Sequence, residues 1–137
     1  MTSINISNSV YSIGSGAFFG CTSLTSINIP DSVNSLGDQA FSGCQSLSSV
    51  KLPTNLSEIK YSTFNGCYNL SSIDIPDSVT SIGVSAFAYC KNLLSVKIPN
   101  NVTSIGDHAF NNCYKLESVN IPNKVETIES QTFADCH

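Results

Sequence analysis

Apolar residues recur along this chain at a fixed step, and inside each step they form two short runs. In Leu24-Thr-Ser-Ile27-Asn-Ile29 the end alternates apolar with polar, the period-two pattern of a strand with one buried face, so Ile27 and Ile29 are expected to point inward. Pro30 ends the run because it has no N–H to give to a ladder, and Asp31-Ser32 reads as a turn. A second extended piece, Val33-Asn-Ser-Leu36, closes on Gly37, where glycine predicts a backbone at positive φ. The segment Asp38-Gln-Ala40-Phe41-Ser-Gly43-Cys44 then has room for about one helical or 3-10 turn before the next strand. One unit is therefore two short strands and a tight turn, with no long helix.

The frame repeats at a countable period. Cys21, Cys44, Cys67, Cys90, Cys113 and Cys136 are each 23 residues apart, and Phe18, Phe41, Phe64, Phe87, Phe110 and Phe133 each lie three residues before one of them. Leu24 to Leu116 and Pro30 to Pro122 keep the same step. A fixed period of this size marks a solenoid, because it is too short for a four-stranded propeller blade. Eight positions per unit face inward, Ala40, Phe41, Cys44, Leu47, Val50, Leu52, Leu56 and Ile59 in the second one. So few buried side chains do not offset the entropy of ordering one unit, and stability must come from neighbouring units in contact. Residues 1–137 read as a single domain of about six units.

The run Ile75-Pro-x-x-Val-Thr-Ser-Ile-Gly-x-x-Ala-Phe-x-x-Cys90, and its counterpart from Ile98 to Cys113, closely resembles the Treponema-type leucine-rich repeats of BspA-like proteins. Departures are Ser7 for Pro, Lys60 and Glu129 for Gly, and Thr63 and Thr132 for Ala. The resemblance implies a right-handed leucine-rich-repeat coil, mainly of parallel β-strands. It also implies a non-enzymatic protein- or glycan-binding module of a cell-surface adhesion protein, secreted as part of a longer chain. An intracellular, cytoplasmic interaction scaffold and a structural spacer are the alternatives, the former favoured by unpaired thiols and the lack of a signal segment in this stretch.

Composition narrows the partners. Of the residues 41% are hydrophobic and 12% charged, too apolar for a disordered tail, yet no run approaches the ~20 apolar residues of a membrane helix. Six Lys and Arg against ten Asp and Glu give −4, which removes the electrostatic basis for nucleic-acid or anionic-lipid binding. Cysteines stacked in one phase have side chains that run parallel without converging, which predicts reduced, buried thiols and neither disulfides nor a zinc site. His108 and His137 occupy unrelated phases without partner ligands and read as exposed; no catalytic set, metal site or cofactor motif emerges.

Candidate ligand-binding residues are the outward positions of the main strand. One column is serine, Ser26, Ser49, Ser72, Ser95 and Ser118; the other is Asn28, Lys51, Asp74, Lys97 and Asn120. Part of the serine signal is assigned to the stack itself, since hydroxyls can bond along a column, and the alternating charges suit cross-strand pairing. A ligand here would be read by hydrogen bonds, as sugars and polar protein surfaces are. Four N-x-[ST] matches, at Asn5, Asn55, Asn69 and Asn101, are expected by chance in so Asn- and Ser-rich a chain, and the surface aromatics read as incidental. Met1 and His137 stand at uncapped phases, so the chain reads as a fragment or an uncapped short protein able to associate end to end.

Overall fold

A computed structural model describes residues 1–137. The chain winds as a β-solenoid in which each coil is one repeat, and every paired residue faces its equivalent 23 positions on. Main strands pair in parallel, Ser26–Asn28 with Ser49–Lys51 and Ser95–Lys97 with Ser118–Asn120, with single bridges Asn5 to Asn28 and Asp74 to Lys97. Minor strands do the same, Ser12–Ile13 with Ser35–Leu36, and Glu58–Ile59 with Ser81–Ile82 and then Ser104–Ile105. No helix forms, so none is long and apolar enough to cross a membrane.

The turn side is a zigzag of tight turns. Hydrogen bonds run from Ala40 N–H to Gly37 O (3.2 Å), Ser42 to Gln39 (3.1 Å), Cys44 to Phe41 (3.2 Å) and Leu47 to Cys44 (3.0 Å). A helical turn cannot propagate because two residues per coil are left-handed, here Gln39 (φ 57°) and Gly43 (φ 75°). The two phases recur as Ser62 and Gly66, Ser85 and Tyr89, His108 and Asn112, and Gln131 and Asp135.

Positive φ thus belongs to these phases, and the expectation that placed it at Gly37 is corrected. Gly37, Gly83 and Gly106 answer a different constraint, the close approach of the preceding coil. A Cβ would overlap Ser15 N at Gly37, and would stand 2.7 Å from the Lys60 carbonyl carbon at Gly83 and 2.6 Å from Val84 N at Gly106. At Gly14 nothing lies within 4 Å.

Lys60 and Glu129 carry side chains at this crowded position, and the minor-strand ladder opens at both. No backbone bond joins Ser35–Leu36 to Glu58–Ile59, or Ser104–Ile105 to residues 127–128. The Thr-for-Ala exchange three residues later is part of the same adjustment. Thr63 Oγ1 donates to Lys60 O (2.9 Å) and Thr132 Oγ1 to Glu129 O (2.8 Å), while the turn N–H bonds to those carbonyls lengthen to 3.4 Å from 3.2 Å in the alanine coils. Across the first opening Lys60 Nζ reaches Ser35 Oγ at 3.5 Å and Glu58 at 3.6 Å.

Seven of the eight inward positions of the second unit are buried, and Val50 is half-buried. Val50 stands where the main ladder is also interrupted, with no backbone bond between residues 48–52 and 71–75. The turn side has no such gap. Phe18, Phe41, Phe64, Phe87 and Phe110 each donate to the residue 22 positions on, flanked by a bond on either side, three per step along the rod. Inside this ladder the six phenylalanine rings stack, with neighbouring centroids 5.2–5.5 Å apart and planes within 11°.

All six cysteines are free thiols. They do more than fill space: Cys44, Cys67, Cys90, Cys113 and Cys136 each donate Sγ–H to the carbonyl of the phenylalanine 26 residues earlier, at 3.1–3.3 Å. That oxygen also accepts the Cys N–H of its own coil, so its two lone pairs are both used. Burial raises the Cys44 thiol to about 11 and the Cys113 thiol to about 12, and pushes Cys67 and Cys90 up as well. Such thiols are protonated and poorly nucleophilic at neutral pH.

Candidate functional site

The period-two alternation of the main strand sends Ile27, Val50, Ile73, Val96 and Val119 inward, so the residues on either side must face solvent. All ten candidate residues do so. Ser26, Ser49, Ser72, Ser95 and Ser118 form one exposed column and Asn28, Lys51, Asp74, Lys97 and Asn120 the other. Parallel in-register pairing sets the spacing: Ser26 faces Ser49 and Asn28 faces Lys51, then Ser95 faces Ser118 and Lys97 faces Asn120.

The serine hydroxyls make no hydrogen bonds along their column. That task falls to neighbouring phases, where Thr25 Oγ1 donates to Thr2 O (3.0 Å), Ser48 Oγ to Thr25 O (3.1 Å), Thr80 Oγ1 to Ser57 O (3.2 Å) and Thr103 Oγ1 to Thr80 O (3.3 Å). The structural share assigned to the serines is therefore misplaced by one phase on the main strand and falls on the minor strand as well. Nor do the alternating charges pair. Lys60–Glu58 is the one ion pair within 4 Å, and Lys51, Asp74 and Lys97 are in none. Asp74 and Lys97 flank a shallow cavity of about 200 Å³ with Ile75, Asp77 and Pro99.

Asn120 differs from its column. Its Nδ2 donates to Ile98 O (3.0 Å) and its Oδ1 accepts the Ile98 N–H (3.1 Å), so the amide substitutes for a ladder bond and is not free for a ligand. On the proline loops Asn101 is similarly occupied, donating to Asp77 O (3.0 Å) and accepting from Lys124 (3.1 Å). There too Asp31 accepts the Thr54 N–H at 2.9 Å, which holds its carboxyl below the ordinary range. No three metal-ligating side chains converge. His108 is half-buried in a left-handed turn, against the expectation of full exposure.

Sequence reasoning set one further arrangement aside as incidental. Tyr68, Lys91, Tyr114 and His137 share a phase, and the structure brings them into contact at the corner where the turn side meets the main strand. Lys91 Nζ lies 4.4 Å from the Tyr68 ring centroid and 6.0 Å from that of Tyr114, and Tyr114 stacks on His137 at 6.1 Å. The signal was the 23-residue spacing, hidden because cation and aromatic alternate in the column. Beside it Tyr89 holds φ at 61° in a phase that is Gly20, Gly43 and Gly66 in earlier coils, which for a non-glycine residue costs about 1–3 kcal/mol.

Comparison with known proteins accords with this geometry. A family model described as the BspA type leucine rich repeat region (six copies) matches, over residues 1–67. The chain is similar to a leucine-rich-repeat protein of T. pallidum (38% identity, TM-score 0.90), covering 93% of this chain and 59% of that one. It is similar to one from Bacteroides ovatus (42%, TM-score 0.90; 93% of this chain and 33% of that one). A leucine rich cell surface protein from Faecalibacterium prausnitzii is 37% identical with a TM-score of 0.84, over 99% of this chain and 35% of that one. The chain thus spans less than two thirds of the length of each. No curated protein matches its sequence.

Proposed function

This chain is built of BspA-type leucine-rich repeats, and from that premise we propose that it is a non-enzymatic binding module of a cell-surface adhesion protein, taking a protein or glycan ligand on its main-strand face. The observation that carries the reading is the pair of exposed columns: serine hydroxyls without partners beside Lys51, Asp74 and Lys97, none of which has an ion pair within 4 Å. Polar groups left unbonded on a shallow face favour a ligand rich in hydrogen-bonding groups. The Faecalibacterium protein described as a cell surface protein supports the surface location.

The test compares two double variants of like exposure against the best-bound member of a glycan array and an extracellular-protein panel. Lys51→Glu with Lys97→Glu should weaken binding at least tenfold while the melting temperature stays within a few degrees, because exposed charges contribute little to stability. Asp38→Lys with Asp107→Lys, on the loop side, should leave binding intact. The reverse pattern refutes the strand-face assignment. The reading extends to end-to-end association of this chain, supported by an apolar cleft of about 330 Å³ on the first coil, lined by Ile4, Ile6, Val10, Ile13 and Phe18 among others.

A further inference from the structure

We propose a second binding site, separate from the main-strand face, at the corner column of Tyr68, Lys91 and Tyr114, and that it takes a saccharide carrying a single carboxylate. Lys91 is the centre. Its ammonium lies against the Tyr68 ring face at 4.4 Å and 6.0 Å from the Tyr114 centroid, and no carboxylate approaches within 4 Å. Two aromatic neighbours hold the side chain in place without neutralising it, so the cation is positioned and unmatched.

The surroundings define what complements it. Tyr89 and Tyr114 are 43% and 40% exposed, and Tyr114 donates its hydroxyl to Asn112 Oδ1 at 2.8 Å, which fixes the ring and leaves the phenolic oxygen to accept. Tyr89 shares the turn that presents the lysine, its carbonyl accepting the Lys91 N–H at 2.9 Å. Its exposed side chain springs from a left-handed position, φ 61°, in a phase that is Asn112 and Asp135 in the coils that follow. The Tyr89 ring, exposed and stacked on no other ring, and the Tyr114 hydroxyl lie around one cation and suit a sugar, whose C–H groups pack on a ring face while its carboxylate meets the ammonium. The overall charge of −4 disfavours a polyanion, and one unmatched ammonium fits one carboxylate.

The experiment titrates the chain with sialyllactose and with lactose, following backbone amide signals by NMR. Sialyllactose should bind at least tenfold more tightly than lactose, shift the amides of Tyr89, Lys91 and Asn112, and weaken severalfold as salt screens the pair. Lys91→Met keeps the aliphatic stem and removes the charge, and should abolish the tenfold preference. Tyr89→Gly removes a side chain from a left-handed position, so affinity should fall while the melting temperature holds or rises. Equal binding of the two sugars, or an undiminished preference in the Lys91→Met chain, overturns the proposal. Tighter binding of a blocked Asp/Glu peptide at the same amides overturns it in favour of an acidic protein partner. Loss of sialyllactose binding in the Lys51→Glu, Lys97→Glu chain moves the ligand to the strand face, overturning this proposal and leaving the first one standing.

Discussion

Gly83→Ala separates the two explanations for glycine at the end of the minor strand. If that phase needed positive φ, every glycine in it would resist alanine equally. The structure instead gives Gly83 a backbone that alanine can adopt but no room for its methyl, which would stand 2.7 Å from the Lys60 carbonyl carbon and 2.8 Å from Tyr61 N. The coils must part there, as they do around Lys60. The bonds at risk are Gly83 N–H to Ile59 O (2.7 Å) and Thr80 N–H to Ser57 O (2.9 Å). At about 0.5–1.5 kcal/mol each, their loss costs about 1–3 kcal/mol. Against this stands about 0.4–1 kcal/mol from the less flexible unfolded chain. A net destabilisation of about 1–2 kcal/mol is expected, read as a lower urea midpoint by circular dichroism. Gly14→Ala, with nothing within 4 Å, should be neutral or slightly stabilising. Ala86→Thr should then be harmful alone, since Ala86 is fully buried, but less so on the Gly83→Ala background, where the coils have parted and its hydroxyl can bond the carbonyl at position 83 as Thr63 bonds that of Lys60. Equal effects at Gly14 and Gly83, or no coupling with Ala86→Thr, would refute the close-approach argument.

Four further outcomes follow from the packing. Six thiols should titrate after denaturation without reductant, and in the native chain the half-buried Cys21 and Cys136 should alkylate well before Cys67 and Cys90; fewer than about four free thiols would mean that neighbours converge. Because the folded thiols are raised, Cys44 to about 11 and Cys113 to about 12, the unfolded chain releases protons first; stability should be full below the ordinary value of 9.0 and decline as pH rises towards 11–12. A urea midpoint that does not drop between pH 7.5 and 10.5 contradicts this. Phe64→Ala removes a fully buried ring stacked on both sides and should cost about 3–5 kcal/mol in urea unfolding, whereas a loss below 1 would deny the phenylalanine stack its central role. Replacing Ile4 and Ile6 together with Lys should lower the assembled mass seen by light scattering, and a parent chain that stays monomeric at high concentration removes the basis for end-to-end association.

The repeat and its inward positions were legible because they depend on spacing alone: burial at Phe41, Cys44, Leu47 and Leu56 follows from a count of 23 and a period of two. The exposure of the ten strand-face residues follows by the same reasoning. The turn side was not legible, since its left-handed residues include Gln39, Ser85 and His108, types with no shared backbone preference, whose φ is imposed by the ladder between coils. Glycine at Gly37 was visible but ambiguous, because one chain cannot distinguish a demand for positive φ from a demand for empty space. Lys60 and Thr63 were noted as separate departures; only their shared carbonyl shows them to be one change. The corner column escaped for a related reason, as contacts between Lys91 and its tyrosines join unlike residues and leave no consensus letter.

The distribution of ladder bonds gives the rod unequal edges in a mechanical sense. The turn side is fastened three times at every step, whereas the main-strand side is loose between Val50 and Ile73 and the minor-strand side between Leu36 and Ile59. Such a body flexes as a carpenter's rule does, keeping the length of its bound edge while the others open at set places. Tension along the axis should therefore lengthen the strand face first and in discrete increments, changing the separation of Lys51 from Asp74 before any phenylalanine leaves its stack. The strand face would then yield under load while the spine keeps its register.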